Sequence, residues 1–295
     1  MKWSTSLGTS PSYFIWSSPA LYNNSVYIGN SSLNDCPLVQ GQLVQMTSGT
    51  GTIRNTFNVV PFGCTGGSVW GSPTVDEAAG RLYFATGNPG SCASQYTEAL
   101  VELDAGNLSV IGYYQVRGPD SADLDFGSTP TLFQAHGINM VGLINKDGTF
   151  YAFQRDALTS GTVWRAKIGS GGLDPLQGSG DISPAAWDGQ NLYVASGNTS
   201  INGVNYPGSL RKLDPATGNF IWQLAFLDGP VLGAVTVANG VAYVGEGTHF
   251  MAIDTSSGNV LFNYDTGSSI WGAASVSNGV VYVGNYGGTL YAFGL

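Results

Sequence analysis

Val241-Ala242-Tyr243-Val244-Gly245 and Val280-Val281-Tyr282-Val283-Gly284 are two copies of one pattern. Apolar β-branched and aromatic residues run on and stop at glycine. The pattern also appears as Ser25-Val26-Tyr27-Ile28-Gly29, Arg81-Leu82-Tyr83-Phe84-Ala85, Asn139-Met140-Val141-Gly142-Leu143 and Asn191-Leu192-Tyr193-Val194-Ala195. Period-two alternation of such residues, closed by Gly or a small residue, reads as a β-strand. Six spaced copies make the chain a repeat protein.

The flanks repeat as well. Before each copy a further strand is predicted, often opening with an aromatic and small residues: Trp16-Ser17-Ser18-Pro19, Trp70-Gly71-Ser72-Pro73, Phe126-Gly127-Ser128-Thr129-Pro130 and Trp271-Gly272-Ala273. After each copy come a third strand and a tight turn, as in Leu213-Asp214-Pro215-Ala216-Thr217-Gly218. There Asp starts the turn by bonding nearby backbone, and Gly ends it with positive φ. Outer strands follow, such as Val163-Trp164-Arg165-Ala166-Lys167 and Phe220-Ile221-Trp222-Gln223-Leu224.

Four antiparallel strands in a unit of roughly 40–58 residues predict an all-β fold, a β-propeller with six visible blades in one domain over 1–295. The last repeat stops after its third strand, Gly288 to Phe293. Lys2-Trp3-Ser4-Thr5-Ser6-Leu7-Gly8 resembles the outer strand Val163–Gly169. Pairing the two would remove both open edges, so the N-terminal strand is expected to close the last blade if this chain is the whole ring.

Composition agrees and narrows the function. Gly is present 43 times, and only 10% of residues are charged, which suits many short strands and turns better than long helices. No apolar run nears the ~18 residues of a membrane helix, so no membrane insertion is expected. A net charge of −9 disfavours nucleic acid as a partner. The three cysteines, Cys36, Cys64 and Cys92, match no zinc spacing. One disulfide is expected, Cys36–Cys64, between blade-edge loops of neighbouring repeats. Two histidines, His136 and His249, support no nucleophile–His–acid set. The cysteines and the Gly/Ser/Thr/Asn richness predict an exported protein, secreted, periplasmic or at the cell surface, whose leader is not in this chain.

The turn Leu213-Asp214-Pro215-Ala216-Thr217-Gly218, followed four residues on by Trp222, resembles the repeat of pyrroloquinoline-quinone (PQQ) propellers. The resemblance is nearest to polyvinyl-alcohol-dehydrogenase-like proteins and quinoprotein alcohol dehydrogenases. It is carried by Val69–Pro73, Ala85–Pro89, Asp123-Leu124-Asp125-Phe126-Gly127 and Asn145–Phe153. It implies PQQ and Ca²⁺ as cofactors and oxidation of a small or polymeric alcohol. It gives Trp70 and Lys146 to the quinone, Asn88 to the metal and Asp125 to the base. Asn88 stands eighteen residues after Trp70, as in the family.

Three features depart from that pattern. Cys36 falls where an acidic metal ligand is expected, an adjacent cysteine pair is absent, and the family ring has eight blades. Two further blades would then lie N-terminal to Lys2. The alternative is a non-catalytic propeller binding a protein or polysaccharide.

The residues also speak for themselves. Trp70 shares its repeat position with Trp16 and Trp271, and Asn88 shares its with Asn30, Asn198 and Asn285. Lys146 reads as a solvated turn residue. Asp125 breaks the repeat, because its counterparts include Ile15, Val69, Val231 and Ile270. Such a break of a local rule points to a site. Asp123, two residues earlier, is expected either to share a cation with it or to raise its pKa toward that of a general base, and Asp181 holds the same position one repeat on. Glu246 is a weaker candidate beside a strand end.

Overall fold

The computed structural model describes residues 1–116 and 123–294, and their regular structure is almost entirely β. Two compact units are present. The first comprises Met1–Pro130 and Arg155–Gly161, the second Thr131–Gln154 and Thr162–Leu295.

Among the described residues the first unit holds two sheets. One contains Ser25–Ser32, Gln42–Thr47 and Ile53–Asn58 in order, with the short strands Tyr13–Phe14 and Ala20–Tyr22 on the free side of Ser25–Ser32. The other runs Thr74–Asp76, Arg81–Ala85, Ala99–Asp104, Val110–Gln115. Leu43, Val69, Leu82, Phe84, Val101 and Leu103 pack into one buried cluster between them. Arg155, in the 3₁₀ segment Arg155–Ser160, closes an ion pair with Asp76 at 2.7 Å.

The second unit repeats the meander. Its sheets are Thr131–Ala135 to Trp164–Lys167, Ala186–Trp187 to Phe220–Phe226, and Thr236–Ala238 to Val260–Asp265, each four-stranded and antiparallel. A three-stranded sheet, Ser275–Ser277, Val280–Gly284 and Leu290–Gly294, comes last. The hairpin Thr199–Ile201 with Val204–Tyr206 stands apart from these. All six copies of the decisive pattern are second strands, as their alternation predicts.

The segments before them differ from expectation. Trp16–Pro19, Trp70–Pro73 and Phe126–Pro130 are coil, and only the three to five residues after them pair. Proline carries no amide to give a ladder, and the remaining polar groups bond to the next repeat instead. Thr74 donates its hydroxyl to the Pro130 carbonyl at 2.7 Å in the first unit. In the second, Thr131 donates to Ala185 and Thr236 to Ala274, at 2.9 and 2.8 Å.

Tryptophans tie the outer strands in the same way. Trp164 donates its indole N–H to the Pro215 carbonyl at 2.9 Å, and Trp222 to that of Thr255 at 3.1 Å. Each ring covers the glycine that ends the turn, Gly218 or Gly258, with φ of 72° and 76°. A side chain at either glycine would meet the ring, and the left-handed backbone already favours Gly.

The N-terminal segment corrects an expectation. Among the described residues Lys2–Gly8 forms no ladder, and Leu290–Gly294 has no fourth strand beside it. Trp3 instead donates to the Ser48 carbonyl at 2.9 Å and covers Gly51, whose φ is 70°. Trp3 and Leu7 pack against Val26, Ile28, Val44 and Met46. Trp3 therefore treats the first sheet as Trp164 and Trp222 treat the sheets that follow their own. The likeness of Lys2–Gly8 to an outer strand lies in this docking.

Candidate functional site

Three backbone segments meet around Gly87 in the first unit. Gly87 donates its amide to the Ser68 carbonyl at 2.9 Å, and Gly67 donates to that of Asn88 at 2.8 Å. On the other side Phe126 donates to the Thr86 carbonyl at 3.3 Å. Residues 67–70, 86–88 and 124–126 thus run together, and they carry Trp70, Asn88 and Asp125.

Gly87 packs closely against Asp125. A Cβ there would stand 3.2 Å from Asp125 Oδ2. In the repeat before, Val69 presses on Gly29, and near the end of the chain Ile270 presses on Gly245. Asp125 replaces such an apolar residue with a carboxylate, 5% exposed, that lies against the glycine just past the strand end.

Trp70 and Asn88 are half-buried. Asp123 is half-buried too, with a φ of 53° that turns the chain into Leu124. Lys146, in the second unit, is 7% exposed at the head of Thr149–Gln154, and its carbonyl accepts the Gly172 amide at 2.9 Å. The solvated turn lysine expected there is a buried one. A turn reads as surface in sequence, and here the Gly169–Gly172 loop bonds back onto it.

The cysteines pair differently from expectation. Cys64 and Cys92 form the disulfide, with Cα atoms 5.7 Å apart, and Cys36 is an exposed thiol. The reason is local. Thr65 donates to Ser91 Oγ at 3.0 Å, and Gly66 bridges Pro89, so these two loops are already side by side. The disulfide fastens the loop before Trp70 to the loop after Asn88.

Sequence reasoning missed Glu98. It is 2% exposed, and its Oε1 accepts the Leu124 amide at 3.0 Å. Two glutamates bracketing an apolar run, Glu98-Ala99-Leu100-Val101-Glu102, were the available signal.

In the second unit Asp181 is 1% exposed and accepts the Gly197 amide on Oδ1 at 2.6 Å. Its Oδ2 has no hydrogen-bond partner among the described residues. Burial pushes this carboxyl up to about 7, against the pull of the Gly197 bond and the charges of Lys167 and Arg211. Arg211, 2% exposed, donates to Thr199 Oγ1, Gln223 Oε1 and the Ile168 carbonyl. Burial lowers its pKa to about 10.

Glu246 is also buried and accepts the amides of Asp228 and Gly229 at 2.9 and 3.0 Å, so it pins a loop. His136 stands in an exposed turn, and His249 Nδ1 faces Asn263.

Among the described residues no three His, Cys, Asp or Glu side chains are grouped to hold a metal. Two cavities of about 680 and 270 Å³ lie near Tyr22, Asn23 and Ser25, away from Gly87. In the smaller one the polar lining is used internally: Gln45 Nε2 donates to Ser25, Tyr27 and Ala105. The chemistry around Gly87 therefore marks the better candidate. No described helix is long and apolar enough to cross a membrane.

Comparison with known proteins follows the same lines. A polyvinylalcohol dehydrogenase of a Pseudomonas species is 24% identical over 326 aligned residues, covering 90% of this chain and 49% of that protein. The chain thus spans about half the length of the curated relatives it matches. A quinohemoprotein alcohol dehydrogenase from Pseudomonas putida HK5 superposes with a TM-score of 0.71 at 17% identity, over 92% of this chain and 55% of that one. The BamB structure from Moraxella catarrhalis gives 0.54 at 14% identity, over 95% of this chain and 85% of that one. These likenesses show the fold, a β-propeller.

The family model described as "Outer membrane protein assembly factor BamB" matches residues 146–294, half of the chain. The chain belongs to that family of PQQ-like repeat propellers.

Proposed function

We propose that the chain carries the site of a quinoprotein-type alcohol dehydrogenase, built in its first unit around Gly87. The observation that carries the reading is Asp125, a buried acid where the repeat otherwise sets an apolar residue, next to the strand end that bears Asn88. The 24% identity to polyvinylalcohol dehydrogenase over most of this chain supports it.

The donor set fits the cofactors. The Asn88 amide oxygen and the Asp123 carboxylate are hard oxygen donors of the kind Ca²⁺ takes. Cys36 is exposed and adds no such donor. Trp70 offers a flat apolar ring face for a planar quinone. When bound, PQQ supplies the two-electron acceptor. Asp125 takes the hydroxyl proton of the alcohol at its carboxylate. The disulfide fits an exported, oxidising location.

A second reading, a non-catalytic propeller that binds a protein or polysaccharide, is favoured by the family model's description and by the coverage of the Moraxella BamB chain. Alcohol-dependent reduction of an electron-accepting dye, with PQQ and Ca²⁺ added to the purified chain, separates the two. Turnover that falls about 100-fold or more in Asp125→Asn supports the dehydrogenase. Turnover indifferent to Asp125, or none at all, favours the scaffold.

A further inference from the structure

Glu98 occupies an unusual place. Its φ is 48°, a left-handed conformation that few residues other than Gly adopt, and it is 2% exposed. Glycine would relieve the backbone there. What glycine could not supply is the side-chain acceptor, and that acceptor is in use. Glu98 donates its own amide to the Gly87 carbonyl at 2.9 Å, while its Oε1 accepts the Leu124 amide at 3.0 Å.

One residue therefore clamps the strand end at Gly87 to the peptide that lies between Asp123 and Asp125. The orientation of that peptide governs where both carboxylates face. The Phe126 amide, on the Thr86 carbonyl at 3.3 Å, holds the far side of the same segment. Backbone strain kept at a buried position, with a side chain that fixes a neighbouring acid, is the pattern of a pre-organised site.

We propose that Glu98 is a positioning residue, which holds the Asp123–Asp125 segment so that Asp125 presents its carboxylate to the substrate. The proposal rests on the reading of Asp125 as the base, and it needs a test that also works without turnover.

Three variants provide it. Glu98→Gln keeps an acceptor oxygen. Glu98→Ala removes it. Glu98→Gly removes it while relieving the φ, so it serves if the alanine variant folds poorly. Amide hydrogen exchange over residues 123–126 is expected to quicken about tenfold or more in Ala and Gly and to stay near wild type in Gln. With PQQ, Ca²⁺ and an alcohol, kcat is expected to fall about 10–100-fold in Gly with KM little changed, and Gln is expected to restore it. The pH dependence of kcat should keep its wild-type shape in Gln and lose definition in Gly.

Unchanged exchange in Ala and Gly overturns the clamp. Faster exchange with undiminished kcat overturns the positioning role. If the wild type shows no turnover, the dehydrogenase reading fails. Exchange then still decides whether Glu98 holds the segment.

Discussion

Trp164 lies against Gly218 and donates its indole N–H to the Pro215 carbonyl, 2.9 Å away. This contact fastens the outer strand of one sheet to the turn of the next within the second unit, and Trp222 with Gly258 repeats it. Trp164 is 8% exposed, so Trp164→Ala is expected to cost about 3–5 kcal/mol. Gly218→Ala places a methyl into the ring at positive φ and should cost about 1–3 kcal/mol. Urea unfolding of both variants measures this. A loss under 0.5 kcal/mol in the tryptophan variant, as is usual for an indifferent surface change, would mean the docking holds nothing.

Asp181 makes stability depend on pH. Its carboxyl is raised by burial to about 7 in the fold, above the ~4 of an unfolded aspartate. The protonated form is therefore favoured by folding. That contribution is complete below about pH 4 and is lost as pH rises through about 7. Asp181→Asn keeps the neutral form at every pH. The variant should match wild type near pH 4 and be the more stable by a few kcal/mol at pH 8. Thermal melts across that range decide it, and a difference that is flat with pH or of opposite sign refutes the assignment.

The disulfide gives a third expectation. Peptide mapping without reduction should recover Cys64 joined to Cys92 and leave Cys36 open to alkylation. Replacing both Cys64 and Cys92 by Ser should cost about 3 kcal/mol. It should also loosen the loops beside Trp70 and Asn88 and so weaken quinone binding. Cys36→Ser should change neither stability nor binding. A Cys36-containing disulfide in the map contradicts the arrangement.

Legibility in the sequence followed the range of each interaction. Val241–Gly245 announces a strand because alternation is written into neighbouring residues. Asp214 to Gly218 announces a turn for the same reason. Asp125 stood out because five other repeats supply the comparison. Lys2–Gly8 looked like a closing strand because the pattern of an outer strand includes the tryptophan that docks on the next sheet. Sequence does not separate the docking from the ladder. The pairing of Cys64 with Cys92 depends on two loops being adjacent, which no spacing encodes. Glu98 escaped notice because its partner Leu124 stands 26 residues away, and Lys146 because burial of a turn needs a second loop.

The account stands most directly on a titration of the purified chain with PQQ in the presence and absence of Ca²⁺, followed by quinone absorbance and tryptophan fluorescence. It predicts saturable, Ca²⁺-dependent binding at micromolar quinone. Trp70→Ala should weaken that binding about tenfold, the loss of roughly 1.4 kcal/mol of ring contact. No saturable binding at micromolar PQQ by the folded protein, or binding that ignores both Ca²⁺ and Trp70, would contradict it.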